Sequence, residues 1–274
     1  MHGLSSRAVA GGSADVQWHS GDLLRAGVAE ALIGDLRPTH LVHLAWCTRP
    51  AEYWTSLENL QWVRASLSLI EGFMRNGGER VVVAGTCAEY DWRYGYCAEH
   101  VTPLKPTGMY GVCKNCVRAL VDALAEQSGL SAAWGRIFFV YGPHENRERL
   151  VPSLIRRLLN EEVAVCSRPN EVRDYLYVED VASALTALLE SNVTGAVNIA
   201  SGRPMSMRDL VTIIAGKMGR SDLVDFAGSD ADNLEAPFLV AEVGRLQREV
   251  GWSPAFDADA GLGRTIEWWN GQLR

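Results

Sequence analysis

An α/β fold around a doubly wound parallel sheet is the architecture this sequence predicts, and two observations predict it. Three short runs rich in β-branched and aromatic residues, 40–46, 80–85 and 134–141, are near-continuously apolar, as strands covered on both faces are. Between them lie the long amphipathic stretches 53–75 and 107–127, which read as helices; crossovers of this length imply parallel strands.

Ahead of these elements, 15–19 reads as a strand, Gly21-Asp22 as its exit, and 24–36 as a helix stopped before Pro38. Beyond Gly142-Pro143 the rhythm changes. Helical segments at 149–159, 178–189, 206–218, 241–250 and 258–269 alternate with short extended pieces such as 163–166 and 197–200. A sheet domain over 1–142 and a smaller substrate-binding lobe over 143–274, with segments returning to the sheet, are expected. No repeat or low-complexity linker divides them, so the lobes are fused around a cleft. The start departs from the pattern. Such a sheet normally opens with a strand, a Gly-rich turn and a helix whose amides hold a pyrophosphate. Gly3, Gly11 and Gly12 are not spaced for that, so they read as loop glycines and the first strand-turn-helix unit reads as missing.

A chain of 274 residues buries a large core. Its 26 Lys and Arg against 33 Asp and Glu leave a net charge of −7, spread along the chain, which argues against a nucleic-acid or anionic-membrane surface. No apolar run reaches the roughly 18 residues of a membrane span. The first residues lack the basic start and apolar block of a signal peptide, so a cytoplasmic location is expected. Six cysteines then read as buried thiols. Cys113 and Cys116 form a C-x-x-C, but with Cys87 and Cys97 the spacing is irregular for zinc, and no metal is expected.

The chemistry-bearing residues centre on Tyr110 and Lys114, a Tyr-x-x-x-Lys pair that stacks on one helix face a single turn apart. A nearby ammonium stabilises a phenolate and brings a tyrosine of pKa about 10 toward the working range. Standing alone, the pair reads better as an aromatic at a helix start beside a solvated lysine. Thr86 ends the 80–85 strand, at the sheet edge where ligands bind, and places a hydroxyl beside Tyr110. Thr, Tyr and Lys together suit proton transfer at a carbinol or carbonyl while a hydride moves.

With these residues the sequence resembles the extended short-chain dehydrogenase/reductase family, the NAD(P)-dependent epimerases, dehydratases and reductases of nucleotide sugars. Matches in order are Gly21-Asp22-Leu23, Pro38 with Val42-His43-Leu44-Ala45, Gly85-Thr86 with Tyr90, and Tyr110-Gly111-x-x-Lys114. Arg136 with Tyr141-Gly142-Pro143, Arg173-Asp174-Tyr175 with Asp180, Asn198-Ile199-Ala200 and Gly251-Trp252-Ser253-Pro254 continue the series. The resemblance implies a Rossmann-like sheet, a nucleotide-sugar substrate and a homodimer joined through the helices at 53–75 and 107–127. It implies Asp22 at the adenine, Leu44 and Ala45 along the cofactor, Tyr110 and Lys114 at its ribose, and Arg173 at the substrate diphosphate. Arg7 falls where a 2′-phosphate is sensed, which favours NADP slightly over NAD.

Departures from the family narrow the reaction. Dehydratases carry an Asp-Glu pair directly after the catalytic threonine; Cys87 and Ala88 stand here. The fucose-synthase branch pairs a cysteine two places after the hydroxyl residue with a histidine after Tyr-Gly-Pro; His144 is present, but Cys87 is one place early. Cys87, His144 and Glu89 are retained as substrate-contacting candidates, although Glu89 equally suits a salt bridge. Phe139 and Trp62 replace asparagines common in relatives. The expected function is reduction, or the reverse oxidation, at C4 of a nucleotide-activated deoxysugar. The alternatives are 4-epimerisation and, given the unusual start, non-catalytic binding of a sugar nucleotide.

Overall fold

The computed structural model describes residues 1–7, 15–226 and 236–272; Gly11 and Gly12 lie outside them. The chain opens with two short parallel strands, β1 (His2–Ser5) and β2 (Gln17–Ser20). Gly3, expected in a loop, is a strand residue: a Cβ there would meet the Trp18 ring at 2.6 Å, so glycine lets the indole lie against the backbone. Helix α1 (Val28–Leu36) starts later than expected because Gly27, at φ 82°, turns the chain immediately before it. There follow β3 (His40–His43), α2 (Glu58–Arg75), β4 (Arg80–Thr86), β5 (Tyr96–Cys97), α3 (Met109–Ser128), β6 (Ser131–Ile137) and β7 (Phe139–Tyr141). The remainder comprises α4 (Leu150–Leu159), β8 (Ala164–Val165), β9 (Val172–Tyr177), α5 (Val178–Glu190), β10 (Gly195–Ile199), β11 (Pro204–Ser206), α6 (Met207–Met218), β12 (Val224–Asp225), β13 (Phe238–Ala241) and α7 (Ala258–Gln272).

Strands β10, β6, β4 and β3 lie side by side in that order, all parallel. β4 is buried along its whole length, which is why its sequence is an unbroken Val-Val-Val run. Alternation sends Val81 and Val83 into a core with Ile33 of α1, Phe73 of α2 and Val117 of α3, and sends Val82 into a second core with Leu185 of α5. Helices on both faces make the sheet doubly wound, as the apolar runs predict. Among the described residues β1 pairs with β2, and β3 with β4, so the parallel strands form a two-stranded and a four-stranded piece linked by α1 packing on α2.

Two expected elements are corrected. The 134–141 run is two strands serving two sheets: Phe138 donates its N–H to Ile199 O at 3.1 Å, and beyond it β7 leaves the main sheet to pair with β9. The expected helix at 241–250 gives way to the end of β13, followed by one wide helical turn, Arg245–Glu249. Ala241 is fully buried in that strand and donates its N–H to the Asp174 carboxylate at 3.2 Å. A second sheet in the order β11, β9, β13, β5 results. No described helix is long and apolar enough to cross a membrane.

Candidate active site

Thr86 and Tyr110 are brought together by the packing of α3 against the turn that follows β4. Thr86 ends the strand and caps this turn, its Oγ1 accepting from Ala88 N at 3.2 Å. Gly111 makes the approach possible: a Cβ there would lie 2.5 Å from Ala88 O and 2.8 Å from Pro106. Tyr110, one residue earlier in the first turn of α3, comes beside the Thr86 hydroxyl. Aromatic edges enclose its ring, with Tyr53 at 4.9 Å, Trp54 at 5.8 Å and Trp46 at 6.4 Å between centroids. Burial pushes the phenol up, and the neighbouring Thr86 side chain only partly offsets this.

The lysine differs from expectation. Lys114 is 3% exposed; its Nζ donates to Ala84 O at 2.7 Å and lies 4.1 Å from the centre of the Trp46 ring. Burial brings its ammonium down to about 7, with the Glu89 charge opposing. The net effect on Tyr110 is thus the reverse of the acidification its spacing predicts: burial keeps the proton on the phenol. Beneath the lysine, His43 is buried against Ser66 Oγ at 2.8 Å and is held neutral, its pKa lowered to about 3 by burial and then by Lys114.

Three expected substrate contacts are structural. Glu89 is fully buried; its Oε1 accepts from Thr86 N at 2.9 Å and Trp134 Nε1 at 2.8 Å, and its Oε2 from Arg136 Nε at 2.8 Å. Arg136, 1% exposed, needs that counter-charge, so Glu89 fixes the strand end instead of reading a sugar. Cys87 is buried in a cluster with Tyr90, Cys97 and Phe138, and burial raises its thiol. Arg173, 3% exposed, is paired with Glu171 at 2.8 Å, donates to Val172 O and packs over Phe139.

A cavity of about 1110 Å³ gathers the rest. Arg7, Asp22, Ala45 and His144 line it, whereas Leu44, 58% exposed, and the Thr86, Tyr110 and Lys114 group are not among its walls. Asp22 Oδ1 accepts from Leu24 N at 3.0 Å, which fixes the turn after β2. His144 adopts a left-handed φ of 63° and stacks its ring 4.6 Å from Trp268. Trp46 and Glu145 are among the cavity residues that sequence reasoning missed. Trp46 was hidden inside an apparent strand that in fact ends at His43. Glu145, whose carboxyl burial pushes up to about 7, gave no signal beyond its place after His144. The C-x-x-C thiols diverge, Cys113 buried and Cys116 exposed.

The model of the NAD dependent epimerase/dehydratase family matches residues 1–200. UDP-glucuronic acid decarboxylase 1 of Xenopus tropicalis is 25% identical over 261 residues, covering 92% of this chain and 61% of the relative. GDP-L-fucose synthase of Sinorhizobium fredii is 28% identical over 219 residues, 73% of this chain and 68% of the relative. Among solved structures, the UDP-glucose 4-epimerase of Thermus thermophilus in complex with NAD superposes with a TM-score of 0.81 at 25% identity, covering 98% of this chain and 91% of that one. The chain spans about three fifths of the length of the first curated relatives, 61% and 62%. With the match over most of its length and the shared parallel sheet, this chain belongs to the NAD-dependent epimerase/dehydratase family.

Proposed function

We propose that this chain acts at C4 of a nucleotide-activated sugar as an NAD(P)H-dependent reductase, with 4-epimerisation at the same site as the second reading. The Thr86–Tyr110 hydroxyl pair at the carboxyl end of β4 carries the proposal. A phenol that burial keeps protonated is the state reduction needs: Tyr110 Oη gives its proton to the oxygen of a 4-keto group while Thr86 hydrogen-bonds the same oxygen. Relatives named 4-epimerase and 4-dehydro-6-deoxyglucose reductase support both readings. Cys87 and Ala88, in place of an acid pair, disfavour dehydration.

A nicotinamide dinucleotide fits the donor set. The cavity exceeds the ~300–1,000 Å³ that takes a drug-sized molecule, and at 1110 Å³ it runs from Arg7 and Asp22 to Ala45. Arg7 would meet the adenosine ribose, favouring NADP slightly, with Asp22 near the adenine; the bound cofactor supplies the hydride. We also propose a sheet domain over 1–142, a substrate lobe over 143–274 with His144 at its entrance, and a homodimer. Exposed Leu57 and Leu60 at α2 and Val112 and Leu120 on α3 suit the dimer seam.

The test is incubation with dTDP-4-keto-6-deoxyglucose and NADPH or NADH. Net loss of absorbance at the reduced-cofactor band supports the reductase. Interconversion of C4 epimers without it supports the epimerase. Tyr110→Phe is expected to lose about 10²–10⁴-fold in turnover. Neither reaction, together with no NADPH binding by fluorescence, rejects both readings in favour of non-catalytic binding.

A further inference from the structure

We propose that Trp46 is a positioning residue for Lys114, holding the ammonium on its indole face above the Ala84 carbonyl. The inference rests on the proposed role of Tyr110, one helical turn from Lys114, but its physical content stands apart from it. Three contacts fix the indole. Its Nε1 donates to Asn59 Oδ1 at 2.7 Å, its ring stacks on Trp62 at 6.2 Å, and its edge meets Tyr110 at 6.4 Å. Asn59 is itself immobile: it is fully buried, and its amide donates to Tyr53 O at 2.7 Å and Ser56 O at 2.8 Å, which leaves Oδ1 as the acceptor. Trp46 also lines the cavity, which Lys114 does not.

The charged groups around Lys114 leave this task to the ring. His43 of β3 is neutral near pH 7, and Glu89, in the turn after β4, is committed to Arg136, Trp134 and Thr86 N. Ala84 O supplies one hydrogen bond. The indole face, 4.1 Å from Nζ, therefore adds to the attraction that Ala84 O and the more distant Glu89 charge supply.

Competitive acetylation of the full chain, from pH 5.5 to 9.5 and read by mass spectrometry, follows Lys114 against Lys105 and Lys217 in the same molecule. It needs neither cofactor nor substrate, so failure of the proposed reaction leaves it interpretable. Trp46→Leu keeps an apolar cover but removes the π face. Its Lys114 midpoint is expected to fall by about 0.4 to 1.5 pH units below that of the unaltered chain, and Trp46→Phe, which keeps a smaller ring, to recover at least half of the drop but not all of it. A midpoint unmoved in Trp46→Leu, or moved upward as water enters, overturns the proposal. Should Trp46→Leu fail to fold, seen as all three lysines reacting alike, Trp46→Phe decides: a midpoint that rises or stays fixed overturns it, and a smaller fall supports it.

Discussion

Glu89→Gln separates a structural carboxylate from a substrate-reading one. The substitution is isosteric, but it sets an amide N–H against Arg136 Nε, which now donates to Glu89 Oε2 at 2.8 Å, and leaves a guanidinium 1% exposed without its counter-charge. Breaking a buried pair in this way costs about 3 to 5 kcal/mol. Arg136 keeps a bond from Nη1 to Tyr90 OH at 3.0 Å and lies over the Tyr90 ring, which argues for the lower end, about 3 kcal/mol. Urea unfolding followed by circular dichroism reads this as a lower midpoint at unchanged slope. The double variant Glu89→Leu with Arg136→Met removes both charges and is expected to recover part of the loss, short of full recovery because Trp134 Nε1 and Thr86 N lose their acceptor. A cost under about 1 kcal/mol in Glu89→Gln, with sugar-nucleotide affinity falling instead, would refute the structural assignment and return Glu89 to the substrate site.

Two further outcomes follow from the same geometry. Glu145 has a carboxyl that burial raises from 4.5 to about 7, so the folded state holds its proton more tightly than the unfolded chain; the associated stability is present below pH 4.5 and is lost as pH rises through 7. Glu145→Gln is therefore expected to stabilise the protein at pH 8, on the order of 2 kcal/mol, and to change little at pH 4.5, measured by thermal melts across that range. Gly111→Ala drives a methyl to within 2.5 Å of the Ala88 carbonyl and so separates α3 from the turn carrying Thr86. A destabilisation of about 1 to 3 kcal/mol with loss of turnover is expected, and unaltered melting and activity would show that the helix yields without cost.

The doubly wound sheet was legible because β4 is covered on both faces and α2 and α3 are amphipathic, a pattern local to each segment. Thr86 and Tyr110 were legible for a related reason: a strand end and a helix start carry their own positions in the sequence. What failed depends on distant partners. Glu89 reads as a cleft acid until Arg136, 47 residues away, is folded against it, and Arg173 reads as a phosphate fork until Glu171 takes its guanidinium. The 134–141 run was read as one strand because apolar periodicity does not reveal a change of sheet, and Trp46 was read as strand because the apolar run continues past the last paired residue, His43.

The buried positions of Glu89, Cys87 and Arg173 divide the labour within the site. On the proposed reading chemistry falls to the frame of β4 and α3, where a capped turn, a glycine contact and a buried ion pair fix Thr86 and Tyr110 independently of any ligand. Charges enclosed within that frame have their partners inside the protein, so they contribute little to telling one nucleotide sugar from another. On the same proposed reading selectivity comes from the cavity walls: Arg7, Asp22, Trp46 and Trp62, with His144 and Glu145 on the turn after β7. Loops on a rigid scaffold change without unfolding it, so on the proposed reading these walls are where a different sugar nucleotide is accommodated while the β4–α3 frame stays fixed.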